Sequence, residues 1–364
     1  MRVAYVIGGL PFGGVENWLF DLCSRLADDP DIEARVINVS GTGVKAQEFR
    51  QAGFSIVDCG HSTKALKTSN LATLRRTRAH LRRMQPDLVH TLQFSGDYFG
   101  RLARLGLGIP AITHIRNIKS ERKLRRWVIN KVLSLFTDLY LSVSKAAVAT
   151  IEREQNLAGR PVRVLYNAVE PAKLAVEPYD LKQLLGAKGR VVVGVGRLVE
   201  QKNFDKLIRA MAFVVRAEPD TSLVILGDGP ERERLERLVG ELGLGGQVFL
   251  AGYVPNQEVP RYLRAAHILA MPSDYEGLPV THVEALFCGL PAVISEHVPS
   301  IEIAPDCSLV CTTQPQSIAE KLLELLGDDA RHAVMSENAL QTAQDYTMER
   351  YVERLKTVYR ELLG

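Results

Sequence analysis

Two cations stand five residues apart in Val191-Val-Val-Gly194-Val-Gly196-Arg197-Leu-Val-Glu-Gln-Lys202-Asn203-Phe204, just past an aliphatic run, with glycines clearing space beside them. An arginine offers a planar fork of donors and a lysine a point charge, a pairing that suits the oxygens of a diphosphate. Further along, Glu276 and Glu284 have seven residues between them within residues 271–291. Pro279 reads as a first helical residue, where its fixed φ and missing N–H do no harm. Glu276 then lies on the loop before the helix and Glu284 inside it, and the amides of Val280 and Thr281 face whatever anion occupies the helix start. A third candidate is Gly8-Gly9-Leu-Pro11-Phe-Gly13-Gly14-Val-Glu16, a glycine-rich turn between a strand pattern and a helix pattern. Together these residue types can hold a phosphate-bearing group and stabilise negative charge on it as it leaves. Each also has a bland alternative: solvated charges for Arg197 and Lys202, helix-dipole partners for the glutamates, a tight turn for the glycines.

Other chemistries fit less well. No Asp-x-Asp stands at a strand end, so no divalent metal is expected. Cys23, Cys59, Cys288, Cys307 and Cys311 are odd in number and lack a Cys-x-x-Cys, which reads as reduced thiols with neither a disulfide framework nor a zinc site. His61, His80, His267, His297 and His332 have no ligand spacing. A nicotinamide-dinucleotide site would want an acidic residue after the second strand, where Asn38 and Ser40 stand instead.

The elements that must position these residues follow from periodicity. The chain has 364 residues and is 46% hydrophobic and 24% charged, a globular balance with room for two cores. Residues 3–7, 34–39, 87–90, 111–114 and 139–143 read as strands. Helical spacing lies between them, as in Val15, Leu19, Leu22 and Leu26, and Ser144 is a candidate N-cap for the next helix. Residues 167–189, with Pro171, Pro178 and Gly186, break the pattern as a linker. Strands then resume at 190–195, 222–226, 248–250, 268–271 and 292–294, several as the continuous aliphatic runs that buried parallel strands require. Two tandem α/β domains are predicted, with ligands beyond the carboxyl ends of the strands.

At this point the chain resembles the retaining, nucleotide-sugar-dependent glycosyltransferases of family 4. The likeness runs through Gly13-Gly14-Val-Glu16, His90, Ala111-Ile-Thr-His114 and Leu165-Tyr-Asn167-Ala-Val. It continues in Gly196-Arg197-Leu…Gln201-Lys202-Asn203, Leu226-Gly227-Asp228-Gly229-Pro230 and Gly252-Tyr253-Val254, and ends with Glu276-Gly277-Leu-Pro…Glu284-Ala-Leu…Cys-Gly-Leu-Pro. The resemblance implies a GT-B fold: two facing Rossmann-like α/β domains with parallel sheets and a central cleft. Residues 1–170 would bind the acceptor, joined by the C-terminal helix at 346–364, and residues 176–345 would bind the nucleotide sugar. It also implies roles. Arg197 and Lys202 neutralise the departing diphosphate, Glu276 lies near the donor sugar, and His114 lines the reaction centre. Glu284 binds the ribose hydroxyls and Gly14 approaches the phosphates. Gly227, Tyr253 and Val254 lie near the base, with Gly196, Asn203, Gly277, Leu278 and Val280 also on the donor. Two departures, Lys202-Asn203 for Lys-Gly and Asn167-Ala168 for Asn-Gly, fall at backbone turns, and Asn203 puts the local phosphate geometry in question.

The function so implied is retaining transfer of a hexosyl-type sugar from a UDP-sugar to a glycan or lipid-linked acceptor, in cell-surface polysaccharide or glycolipid synthesis. The donor is a co-substrate, and no cofactor is expected. The alternatives are a nucleotide-sugar epimerase of the same architecture and a non-catalytic nucleotide-sugar-binding subunit. Charge adds a partner. Residues 1–175 hold 26 Lys and Arg against 15 Asp and Glu, a net of +11, while residues 176–364 carry −8. Residues 119–135 place Leu124, Trp127, Val128, Val132 and Leu135 at helical spacing among Arg122, Lys123, Arg125 and Arg126, and a second cluster is Arg75, Arg76, Arg78, Arg82 and Arg83. An anionic membrane surface is the partner this fits, with a stripe packed on the sheet as the alternative. No recognition module points to nucleic acid. Without a signal-peptide pattern or a spanning apolar run, the expected location is the cytoplasm, peripheral at the inner face of the plasma membrane.

Overall fold

The computed structural model describes residues 1–11, 13–116 and 124–364. They form two compact units, one of residues 1–166 with 348–364, the other of residues 167–347. The division falls four residues before the expected boundary at 170, because the linker belongs to the second unit. There the Asn167 side-chain amide donates to the Leu278 carbonyl at 2.6 Å, and the Tyr179 amide to the Arg261 carbonyl at 3.2 Å.

The first unit is built on seven parallel strands in the order β3-β2-β1-β4-β5-β6-β7. These are β1 (Arg2–Ile7), β2 (Glu33–Asn38), β3 (Ile56–Asp58), β4 (Leu88–Leu92), β5 (Ala111–Ile115), β6 (Leu139–Ser142) and β7 (Val162–Val164). Strands β1, β4 and β5 are almost wholly buried, which explains their continuous apolar runs. The short β3 and β7 lie at the two edges, half-buried, and periodicity did not flag them. The C-terminal helix Met348–Leu363 packs in this unit. Its buried face of Met348, Tyr351, Val352, Leu355 and Tyr359 recurs at helical spacing, and Lys356 on it reaches Asp29.

The second unit repeats the plan with six parallel strands in the order β10-β9-β8-β11-β12-β13. They are β8 (Arg190–Val195), β9 (Thr221–Leu226), β10 (Val248–Gly252), β11 (Ile268–Met271), β12 (Ala292–Ser295) and β13 (Ser308–Cys311). The helix Phe204–Ala217 covers one face through Phe204, Leu207, Ile208, Met211 and Val214. In each unit the strand order reverses between the first and fourth strands, β1/β4 and β8/β11, so each has a switch-point crevice beyond its carboxyl ends.

Two sequence readings are corrected. Pro279 is the N-cap of the helix Val280–Phe287, with φ −64° and ψ 122°, and not its first residue. The apolar stripe of residues 124–135 does not pack on the sheet. Leu124 is 74% exposed and Val128 45%, and Trp127, Val132 and Leu135 are exposed as well. Only Asn130 and Leu133 of the helix Leu124–Leu133 are buried. Lys119, Arg122 and Lys123 lie outside the described residues. The five cysteines are free, and no helix among the described residues is long and apolar enough to cross a membrane.

Candidate active site

The site in the second unit begins where β8 ends. Gly196 has φ +152°, and a Cβ there would lie 2.9 Å from Lys202 Cε. The glycine therefore lets the lysine stem cross the strand end. Lys202 Nζ then meets Glu276 Oε1 at 2.6 Å, both side chains largely withdrawn from solvent. Gly227, at the end of β9, has φ +144°, and a Cβ there would lie 1.9 Å from the Gly196 carbonyl oxygen. Its amide donates to the Gly252 carbonyl at 2.8 Å, so the ends of β8, β9 and β10 touch through bare backbone.

Asn203 explains the departure at that position. It sits at φ +53°, ψ +34°, the left-handed region where glycine is favoured and asparagine is tolerated best among the rest. Its buried amide nitrogen donates to the Pro272 carbonyl at 2.8 Å and to Asp274 Oδ1 at 2.7 Å. The Gln201 side chain donates to the Tyr275 carbonyl at 2.7 Å, and the Asp274 amide to the Gln201 carbonyl at 2.9 Å. Four hydrogen bonds thus stitch the loop after β8 to the loop after β11, across the switch point. That stitching places Glu276 against Lys202.

Arg197 follows Gly196, exposed, and has no carboxylate partner among the described residues. A guanidinium left in this state beside a buried cation–carboxylate pair is a ready contact for an added anion. Beyond it the helix Val280–Phe287 begins, with Val280 as its first residue and Glu284 partly buried one turn in. Gly277 and Leu278 are buried, Leu278 through the Asn167 bond to its carbonyl. Tyr253 is exposed just past β10, and Val254 packs on the core. The structure thus gathers Gly196, Arg197, Lys202, Asn203, Gly227 and Glu276 at one pole of this unit.

His114 and Gly14 belong to the first unit. Gly14 opens the helix Gly14–Leu26 with open space around it. His114 is buried on β5, 3.2 Å from His90 and edge-on to Trp18. The Arg116 guanidinium lies 3.9 Å over the Trp18 ring. Burial drives the His114 pKa well below the ordinary range, with Arg116 and His90 adding to the effect. Sequence reasoning missed Gln93, which at φ 64° follows β4 across the switch point from Gly9 and donates to the buried Glu16 carboxylate. Burial raises the Glu16 pKa, opposed by its own amide, Gln93 and Arg116. Only the position of Gln93 directly after a buried strand could have pointed to it. Among the described residues no cluster of three His, Cys, Asp or Glu side chains is arranged as metal ligands would be.

Comparison with known proteins covers both units. Residues 178–342 match the family model described as glycosyl transferases group 1, and residues 12–173 match glycosyltransferase family 4. A 2-deoxystreptamine glucosyltransferase of Streptomyces kanamyceticus is 29% identical over 46% of this chain and 44% of its own length. A GDP-mannose-dependent alpha-(1-6)-phosphatidylinositol monomannoside mannosyltransferase of Mycolicibacterium smegmatis is 36% identical over 40% of this chain and 41% of its own. The chain therefore spans less than half the length of these two curated relatives. Among solved structures, Anabaena HepE in complex with UDP superposes with a TM-score of 0.87 at 20% identity, covering 99% of this chain and 100% of that one, a likeness of fold.

Proposed function

We propose that this chain, which belongs to the family 4-type glycosyltransferases of GT-B fold, moves a hexosyl-type sugar from a nucleoside diphosphate sugar of the uridine class to a glycan or lipid-linked acceptor hydroxyl. The observation that carries this reading is the Lys202–Glu276 pair at the β8/β11 switch point with Arg197 exposed beside it. As the anomeric C–O bond to the diphosphate breaks, its electron pair stays on the diphosphate oxygen. Arg197, Lys202 and the amides opening the helix Val280–Phe287 stabilise that charge without reorganising. Glu276 holds Lys202 in place and faces the sugar, and Glu284 takes the ribose hydroxyls. The acceptor proton passes to the departing diphosphate oxygen, and the new C–O bond forms on the same face, with retention. No divalent metal takes part.

The test is release of nucleoside diphosphate from UDP-, GDP- and ADP-sugars, with and without a lipid-linked glycan fraction and with excess chelator. Acceptor-dependent release of UDP, undiminished by chelator, is the expected result. Release of GDP or ADP alone would replace the uridine donor, and inhibition by chelator would overturn metal independence. Conversion of the sugar nucleotide without acceptor would indicate an epimerase. No turnover of any donor would leave a nucleotide-binding subunit.

The acceptor half of the proposal is a lipid-bearing molecule met at an anionic membrane. Its support is the exposed stripe of Leu124, Trp127, Val128, Val132 and Leu135, with Arg125, Arg126 and Lys131 on the same segment. Each cation near an anionic leaflet contributes about 1 kcal/mol, and the apolar side chains add burial. The protein is expected to sediment with anionic vesicles at low salt and to lose this when Trp127 and Val128 become glutamates. Failure of the unaltered chain to sediment would overturn it.

A further inference from the structure

Four buried side chains from distant parts of the sequence form one hydrogen-bonded line in the first unit. Tyr5 of β1 meets Tyr359 of the C-terminal helix, hydroxyl to hydroxyl, at 3.0 Å. Tyr359 Oη lies 2.6 Å from His90 Nδ1 on β4, and His90 Nε2 lies 3.2 Å from His114 Nδ1 on β5. The line ends there: His114 Nε2 is buried and has no partner among the described residues. Both imidazoles are neutral in the folded state, because they are fully buried with the Arg116 guanidinium nearby. Burial takes His90 down to about 3 and His114 well below its usual range.

A neutral imidazole has one N–H, so each ring donates on one nitrogen and accepts on the other. The whole line must then run one way or the other. In the first direction Tyr5 donates to Tyr359, Tyr359 to His90 Nδ1 and His90 Nε2–H to His114 Nδ1. Only the His114 Nε2–H is left without a partner. In the reverse direction His114 Nδ1–H donates to His90, His90 to Tyr359 and Tyr359 to Tyr5. That leaves two buried groups unsatisfied, the Tyr5 hydroxyl proton and the His114 Nε2 lone pair. Leaving a buried polar group unsatisfied is costly, so the first direction, with one such group against two, is favoured. The 2.6 Å contact agrees, being short for an N–H donor and ordinary for a hydroxyl donor.

We propose that His90 and Tyr359 are positioning residues that fix His114 in its Nε2–H tautomer, leaving that N–H as the unspent donor at the end of the line on β5. The C-terminal helix thereby acquires a function beyond packing, since Tyr359 supplies the proton that orients the line.

The experiment is two-bond nitrogen–proton correlation NMR on the full chain labelled with nitrogen-15 histidine, without ligand, with His90→Gln and His114→Gln used to assign the two rings. The expected result is both rings in the Nε2–H form. Both in the Nδ1–H form, or either one protonated at pH 7, would overturn the proposal. Tyr359→Phe removes the orienting donor while keeping the ring, so its spectrum should show a mixture of tautomers at His90. An unchanged pure Nε2–H spectrum in a folded Tyr359→Phe protein would remove Tyr359 from the mechanism.

Discussion

Replacing Asn203 separates what its backbone angle does from what its side chain does. At φ +53° an alanine is in the left-handed region, which costs about 1–2 kcal/mol, whereas glycine adopts it freely. Both replacements lose the hydrogen bonds to the Pro272 carbonyl and the Asp274 carboxylate, together about 2 kcal/mol. Asn203→Ala should therefore destabilise the unit of residues 167–347 by about 3–4 kcal/mol and Asn203→Gly by about 2–3 kcal/mol, glycine's greater freedom in the unfolded chain included. In a unit of this size each kcal/mol moves the melting midpoint by roughly 2–4 °C. Calorimetric melts should place the alanine variant below the glycine variant by several degrees and both below the unaltered protein. Equal midpoints, or alanine above glycine, would refute the conformational half of the argument. Unaltered stability in both would refute the stitching of the two loops. Because the stitched loop carries Glu276 to Lys202, donor turnover should fall in both variants, including at temperatures where they remain folded.

Three further outcomes follow from the same geometry. Arg197→Ala removes an exposed side chain with no carboxylate partner among the described residues, so turnover should drop at least a hundredfold while the melting midpoint moves by no more than about 2 °C; comparable activity in a steady-state assay would remove its leaving-group role. Gly227→Ala would set a Cβ 1.9 Å from a backbone oxygen at φ +144°, and it should leave too little folded protein to purify, as a solubility screen beside the unaltered chain would show. His282, buried against Ser300 and lowered to about 4, is neutral when folded but charged in the unfolded chain below pH 6.5. The unfolded state then binds more protons, so this group's contribution falls as pH drops from 6.5 to 4. Asp97, raised to about 6, works the other way. Stability measured by urea titration should fall less steeply with acid in His282→Gln, by up to about 1.4 kcal/mol per pH unit.

Much of the fold was legible because burial of a parallel sheet writes itself as aliphatic runs. Val191-Val-Val and residues 222–226 could be little else, and the glycines after them marked the strand ends where the cations gather. The strands that escaped notice, Ile56–Asp58, Val162–Val164 and Ser308–Cys311, are short and lie at or near sheet edges, where apolar continuity is not required. Asn203 was legible as a departure, but its reason needed a backbone angle. The exposed face of the helix Leu124–Leu133 was beyond reach in principle, since periodicity identifies an apolar stripe and not what it faces. The line from Tyr5 to His114 was equally hidden. It joins β1, β4 and β5 to a helix some 270 residues further on, and only the folded chain brings Tyr359 to His90.

The most direct test of the central claim is calorimetric titration of UDP and GDP into the purified chain, repeated with Lys202→Ala and Glu284→Ala. The account predicts one UDP bound per chain, with affinity at least tenfold weaker in each variant, a difference of about 1.4 kcal/mol. It also predicts stabilisation of the unaltered chain by about 2.7 kcal/mol at a hundred times the dissociation constant. Binding of GDP in place of UDP would change the donor and keep the site. Binding of neither nucleotide, or binding of UDP indifferent to Lys202 and Glu284, would contradict the account.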